Sequence, residues 1–275
     1  MNKVGNAIVI GMAIVMAGTI PRNIIFLANT RYLRSIPWAL PVLAVYLWYF
    51  WRYLNGWGEP HSSSSFRKEN LRARNLPVQV WIWALISGII GIAAIVVYLR
   101  MLNRMVVLPQ QDLSDFKDIP ALTLYSLLIA AAPIAGIVEE AAFRGYMQYP
   151  IEQRYGLLIA ILITGTMFAV AHLDFTWVLW PYYISVAAVY STIAYLTRSI
   201  LPGIVLHTSG NIYSNLDLLL HGRSEWQAPK AASELIWNTG ADLRFWLVVI
   251  TMLLLILCFI LASMKLSIVV RRHQR

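Results

Sequence analysis

Eight apolar stretches, each near the roughly 20 residues that a helix needs to cross a bilayer, constrain this chain more than anything else in it. They cover residues 5–27, 36–53, 77–99, 120–142, 156–173, 175–196, 201–220 and 245–270. The last contains "FWLVVITMLLLILCFILASM", and almost nothing separates the fifth from the sixth. Inside hydrocarbon a backbone must satisfy its own hydrogen bonds, which runs of this length do as helices. The balance of residue types agrees, with 59% hydrophobic and 13% charged, about half the charged share of an ordinary soluble domain. The expected fold is all-α, a polytopic membrane helix bundle of about eight transmembrane helices, forming one integral membrane domain over residues 1–275.

The connections leave no room for a soluble domain. The longest polar ones, 54–76, 101–119 and 221–243, are too short to enclose a core. Within the first, "HSSSSFRKENLRARN" (61–75) is a serine-rich linker leading into a basic stretch suited to a lipid surface. Lys3 ahead of an apolar run resembles a secretory signal, but no small-x-small cleavage site follows, so a retained helix is expected. No repeat of fixed period is present.

Loop cations set the expected orientation. With eight spans both termini share a side, which collects Lys3, Arg52, Arg67, Lys68, Arg72, Arg74, Arg144, Arg154, Arg198, Lys265, Arg271, Arg272 and Arg275. The other side has Arg22, Arg31, Arg34, Arg100, Arg104, Lys117, Arg223, Lys230 and Arg244. Thirteen against nine places both termini in the cytoplasm. The net charge of +9 then reflects topology and attraction to anionic lipid. Nucleic-acid binding needs a basic face on a soluble domain, and none is expected. Cys258, the single cysteine, lies in apolar "LLILCFIL", where a thiol stays protonated and is a poor nucleophile.

Against this background "EEAAFRGY" (139–146) stands out, because it ends an apolar run with three charges. A charge at the centre of a membrane helix costs roughly 2.5 kcal/mol or more. Glu140 and Arg144 are four apart on one helix face, acid first, the favoured order for an ion pair. Glu139 points about 100° away and needs another partner or a cavity. Pro133, six residues earlier, can kink the helix. Two further spans carry polar pairs at the same spacing, Phe168 with His172 in "FAVAH" and His207 with Asn211 in "HTSGN". Ionisable residues in membranes face the bundle interior and one another, so Glu139, His172, His207 and Asn211 form an expected inward-facing cluster from three helices. Blander readings compete: interfacial glutamates, a structural His172 beside Asp174, and His207 and Asn211 as interhelical hydrogen-bonding groups. His61 and His221 in loops and His273 in the tail are read as structural.

E-E-x-x-x-R, F-x-x-x-H and H-x-x-x-N, in this order on separate membrane helices, resemble the three motifs of the CAAX-protease and bacteriocin-processing family of intramembrane glutamic endopeptidases. All three are complete here: Glu139-Glu140-x-x-x-Arg144, Phe168-x-x-x-His172 and His207-x-x-x-Asn211. The resemblance covers about 120–220, the family's catalytic core. It implies that Glu139 is the general base, that His172 helps activate water, and that His207 and Asn211 donate to the oxyanion. Glu140 and Arg144 are then the supporting pair. No cofactor and no metal are implied, although one Glu and two His also make the ligand set of a hydrolytic zinc site. The chain lacks H-E-x-x-H.

The expected function is an intramembrane endopeptidase that hydrolyses a peptide bond near the cytoplasmic half of the bilayer. Its partners are a peptide or protein substrate, itself membrane-anchored in some members, and the lipid bilayer; no nucleic acid is expected. Family members cut prenylated CAAX proteins or are associated with bacteriocin maturation and self-immunity, and the compact loops suit a prokaryotic plasma membrane. The alternatives are a non-catalytic bacteriocin-immunity or scaffolding membrane protein, a zinc-dependent protease using the same residues, and a transporter with a proton relay. The last predicts repeat symmetry between halves, which the sequence does not show.

Overall fold

The computed structural model describes residues 3–108, 118–172, 176–222 and 234–274. Lys117, Asp174, Arg223, Lys230 and Arg275, used above, lie outside them. Among the described residues every regular element is helical. In chain order these are α1 (Lys3–Arg31), α2 (Ala39–Leu54), the short α3 (Ser64–Leu71), α4 (Val78–Met105) and α5 (Ala121–Glu139). A π-helical turn (Glu140–Met147) then leads into α6 (Gln148–Ala171), followed by α7 (Trp180–Thr197), α8 (Leu201–His221), the single-turn α9 (Ile236–Thr239) and α10 (Leu243–His273). Each of the eight expected stretches overlaps one of these helices.

Four helical runs are long and apolar enough to cross a membrane: Lys3–Arg31, Val78–Met105, Ala121–Ala171 and Leu243–His273. The third merges the fourth and fifth expected stretches. Where the sequence reading ends a span at residue 142, the π turn carries the helix onward, and the backbone breaks only at Gly156, with φ 78° and ψ 172°. Glycine tolerates that conformation because it has no Cβ to clash. Glu139 therefore stands deep in a long helical run, about 27 Å of helix from Ala121 and about 24 Å from Tyr155 at 1.5 Å per residue.

The outward surface is apolar. Ile24, Leu158, Tyr213 and Leu254 are each more than half exposed, as in a bundle that meets lipid rather than water. α10 is the extreme case: only 11% of its apolar window is covered by protein, and Cys258 on it is exposed.

Close pairs fix how the helices run. Gly11 abuts Met147 and Gly18 abuts Val138, so α1 is antiparallel to the long helix. Gly136 meets Thr208, and Asn215 Nδ2 donates to the Leu128 carbonyl at 2.7 Å, so α8 is antiparallel to α5. Ser87 and Ser263 hydroxyls lie 2.8 Å apart, and Arg104 meets Asp242, so α10 is antiparallel to α4. Lys3, residues 55–77, Gly156 and His273 consequently gather at one end of the bundle.

In the segment from 55 to 77, Arg67, Asn70, Leu71 and Arg72 pack into the protein, whereas Lys68 and Arg74 of the basic stretch stay exposed. Arg67, 4% exposed, donates to the carbonyls of Tyr53, Trp57 and Gly58 at 3.1, 3.0 and 2.8 Å, satisfying backbone just beyond α2. Tyr146 donates its hydroxyl to the Leu54 carbonyl at 2.8 Å, tying the π turn to the same segment. Arg72 is buried against Glu152 at 2.9 Å and donates to the Ala194 carbonyl at 2.8 Å. Arg67, Arg72 and Arg144, three of the thirteen cations counted for the terminal side, are buried, Arg144 within the long helical run.

Candidate active site

The three charges of "EEAAFR" owe their burial to the helices around the π turn. Glu140 and Arg144 are both wholly inaccessible, with Glu140 Oε1 3.2 Å from Arg144 Nη1. This is the four-residue pair that the sequence leads one to expect. None of the three guanidinium nitrogens has a hydrogen-bond partner among the described residues. Instead the group lies between aromatic faces, 5.0 Å from the centroid of Phe168 and 5.2 Å from that of Tyr190, an electrostatically favourable setting for a desolvated cation.

His207 joins the two glutamates. Its Nδ1 is 3.0 Å from Glu140 Oε1 and its Nε2 is 3.6 Å from Glu139 Oε2. The ring reaches both because its nitrogens stand on opposite edges, so the carboxylate left without an obvious mate in the sequence shares one with its neighbour. Tyr190 stacks on the same imidazole, with centroids 5.2 Å apart and planes at 12°. Small residues permit this approach. A Cβ on Gly203, one turn before His207, would stand 2.6 Å from Glu140 Oε2, and one on Gly136 would stand 2.5 Å from Thr208 Oγ1. Both contacts are too short for anything but glycine, and close backbones are how membrane helices gain packing energy.

Phe168 is buried and packs edge-on against Phe143, centroids 5.2 Å apart, and against His207 at 6.3 Å. His172 follows one turn later at the end of α6. Its Nδ1 lies 2.8 Å from the Phe168 carbonyl oxygen, so that nitrogen carries the proton and Nε2 keeps its lone pair. The ring is exposed and leans on Tyr183 at 4.7 Å. Asn211, one turn beyond His207, is partly buried.

Glu139, His172, His207 and Asn211 all line one cavity of about 290 Å³. The sequence-derived cluster is thus brought together, with Phe168 in the wall and Glu140 and Arg144 behind it. Glu139 Oε2 is buried without a hydrogen-bond partner in the described protein, its charged neighbour being His207 Nε2 at 3.6 Å. Tyr190 and Gly203 were not singled out from sequence. An aromatic in an aromatic-rich chain carries no signal, whereas Gly203, four residues before His207 in "LPGIVLH", could have been noticed. No group of three or more His, Cys, Asp and Glu side chains among the described residues is placed to hold a metal ion.

The cavity lining extends along α4 and α8 to Arg100, Asn103 and Asp217, at the end of the bundle opposite both chain ends.

Residues 121–213, about a third of the chain, match the family model of the type II CAAX prenyl endopeptidase Rce1-like proteins. The match encloses all three motifs and coincides with the core outlined by their spacing. No curated protein and no solved structure matches the chain. The match and the four helices long and apolar enough to cross a bilayer fit an integral membrane protein with a core similar to that peptidase family.

Proposed function

We propose that this chain, with the core of a type II CAAX prenyl endopeptidase family at 121–213, is an intramembrane glutamic endopeptidase whose catalytic residues are Glu139, His172, His207 and Asn211. It crosses the membrane about eight times. The observation that carries the reading is the convergence of those four side chains on one cavity.

Glu139 takes a proton from water as the water attacks the scissile carbonyl carbon. His172, fixed by its Nδ1–H bond to the Phe168 carbonyl, offers Nε2 to orient that water. Asn211 donates its amide N–H to the developing oxyanion, the role in which preorganised donors are most effective. His207 donates from Nε2; since Nδ1–H is given to Glu140, this requires a ring holding both protons. Collapse of the tetrahedral intermediate returns the proton to the leaving amine. Glu140 and Arg144 act by holding His207 in place. A complete set of motif residues around an open cavity favours catalysis over an immunity or scaffolding role.

The substrate is a peptide or protein reaching the cavity from the bilayer side opposite the chain ends. Comparing membrane proteomes of cells carrying the wild-type chain or Glu139→Gln tests the reading. A peptide end that disappears in the variant supports it, and identical proteomes with equal protein levels oppose it.

A further inference from the structure

Arg100 and Arg104 sit one turn apart near the end of α4, and only one of them is used by the fold. Arg104 lies 3.4 Å from Asp242 and donates to the Glu234 carbonyl at 2.6 Å. Arg100 is exposed, lines the cavity, and has no ion pair or hydrogen bond among the described residues. Asp217, on the facing rim, is 2.7 Å from His221 Nδ1. Arg100 is the one arginine or lysine among the described residues lining the cavity.

The helix register gives its distance from the reacting centre. α4 and α8 run in the same direction and touch where Gly88 meets Leu206. Twelve residues on from Gly88 is Arg100, and eleven on from Leu206 is Asp217, so both stand at one level. His207 to Asp217 is ten residues, about 15 Å of helix rise.

We infer that Arg100 is a specificity residue that holds a carboxylate of the bound peptide roughly four extended residues from the cleaved bond, at about 3.3 Å per residue. The inference rests on the peptidase reading of the same cavity. A guanidinium presents a fork of N–H donors that matches a carboxylate at two points, and in a partly dehydrated mouth that pairing selects among otherwise similar peptides. The carboxylate can be the peptide's own C-terminus or an acidic side chain at that distance.

The test measures binding in lipid nanodiscs on full-length Glu139→Gln protein, with and without Arg100→Gln. The probes are a fluorescent apolar hexapeptide with a free C-terminus, its C-terminal amide, and the amide carrying glutamate at the fourth position. Expected is a loss of about tenfold or more in affinity on Arg100→Gln for a carboxylate-bearing probe, with the plain amide bound alike by both proteins. Selective loss for the free acid identifies the terminus, and for the glutamate amide the side chain. In an Arg100→Glu variant, lysine in place of that glutamate should restore binding, which a merely structural Arg100 would not allow. Equal affinities for all three probes, or no binding of any, overturn the inference. Cleavage by the Glu139-containing protein that ignores Arg100 also sinks it while leaving the peptidase reading intact. Arg100-dependent binding without any Glu139-dependent cleavage does the reverse.

Discussion

The two adjacent glutamates should respond very differently to loss of charge. Glu140 is fully buried, 3.2 Å from an equally buried Arg144 and 3.0 Å from His207. Removing one member of a buried pair leaves the other charge uncompensated and typically costs about 3–5 kcal/mol. Arg144 has no hydrogen bond in the described protein to fall back on, so Glu140→Gln belongs at the upper part of that range. Glu139 differs. Its side chain is 18% exposed, faces the cavity, and meets His207 only at 3.6 Å, so Glu139→Gln should stay within about 1 kcal/mol, as substitutions that leave no buried group stranded usually do. Eleven tryptophans make intrinsic fluorescence a direct probe of thermal unfolding in detergent. At about 2–4 °C per kcal/mol for a chain of this size, Glu140→Gln should lower Tm by on the order of 10 °C and Glu139→Gln by a few degrees at most. Adding Arg144→Met to Glu140→Gln should recover part of the loss, because the stranded cation is gone. Equal Tm shifts for the two glutamines, or an additive double variant, would refute the reasoning.

Asn211→Ala should lower kcat by about 10²–10³ with KM within a few-fold, as loss of one oxyanion donor does; a raised KM with kcat intact would reassign Asn211 to binding or packing. His207→Ala should lose activity and stability together, since the ring links both glutamates, and an active, stable variant would count against that bridge. Activity should survive dialysis against a strong chelator, with no stoichiometric zinc by elemental analysis. One zinc per chain, lost together with activity, would favour the metal reading. Tags on either terminus should be reached by a membrane-impermeant reagent from the face opposite the one where cleaved peptide emerges, and emergence on the same face would contradict the placement of the cavity.

Much of the site was legible because its determinants are local. The four-residue spacing of Glu140 and Arg144 predicts their pairing on any helix, and the pairs Phe168/His172 and His207/Asn211 carry the same period into two more helices. The apolar runs located the helices for the same reason. What could not be read was long-range. Nothing in "EEAAFRGYMQY" announces a π turn that continues the helix to Gly156, and so the fourth span was ended too early, at residue 142. Arg67 and Arg72 look like surface charges until Glu152 and the carbonyls of Tyr53, Trp57, Gly58 and Ala194 come to meet them. That His207 touches both glutamates depends on Gly203 and Gly136 drawing α8 against the long helix, a packing event that spacing alone does not encode.

Purified protein in proteoliposomes, supplied with a mixed library of quenched peptides and followed by mass spectrometry, tests the central claim most directly when wild type and Glu139→Gln are compared at matched folding. The account predicts new peptide ends at defined bonds with wild type, and at least about 10³-fold less of the same products with Glu139→Gln, the scale of losing an essential catalytic group. Cleavage by Glu139→Gln at the wild-type rate, or no cleavage of any peptide by folded wild-type protein, would contradict it.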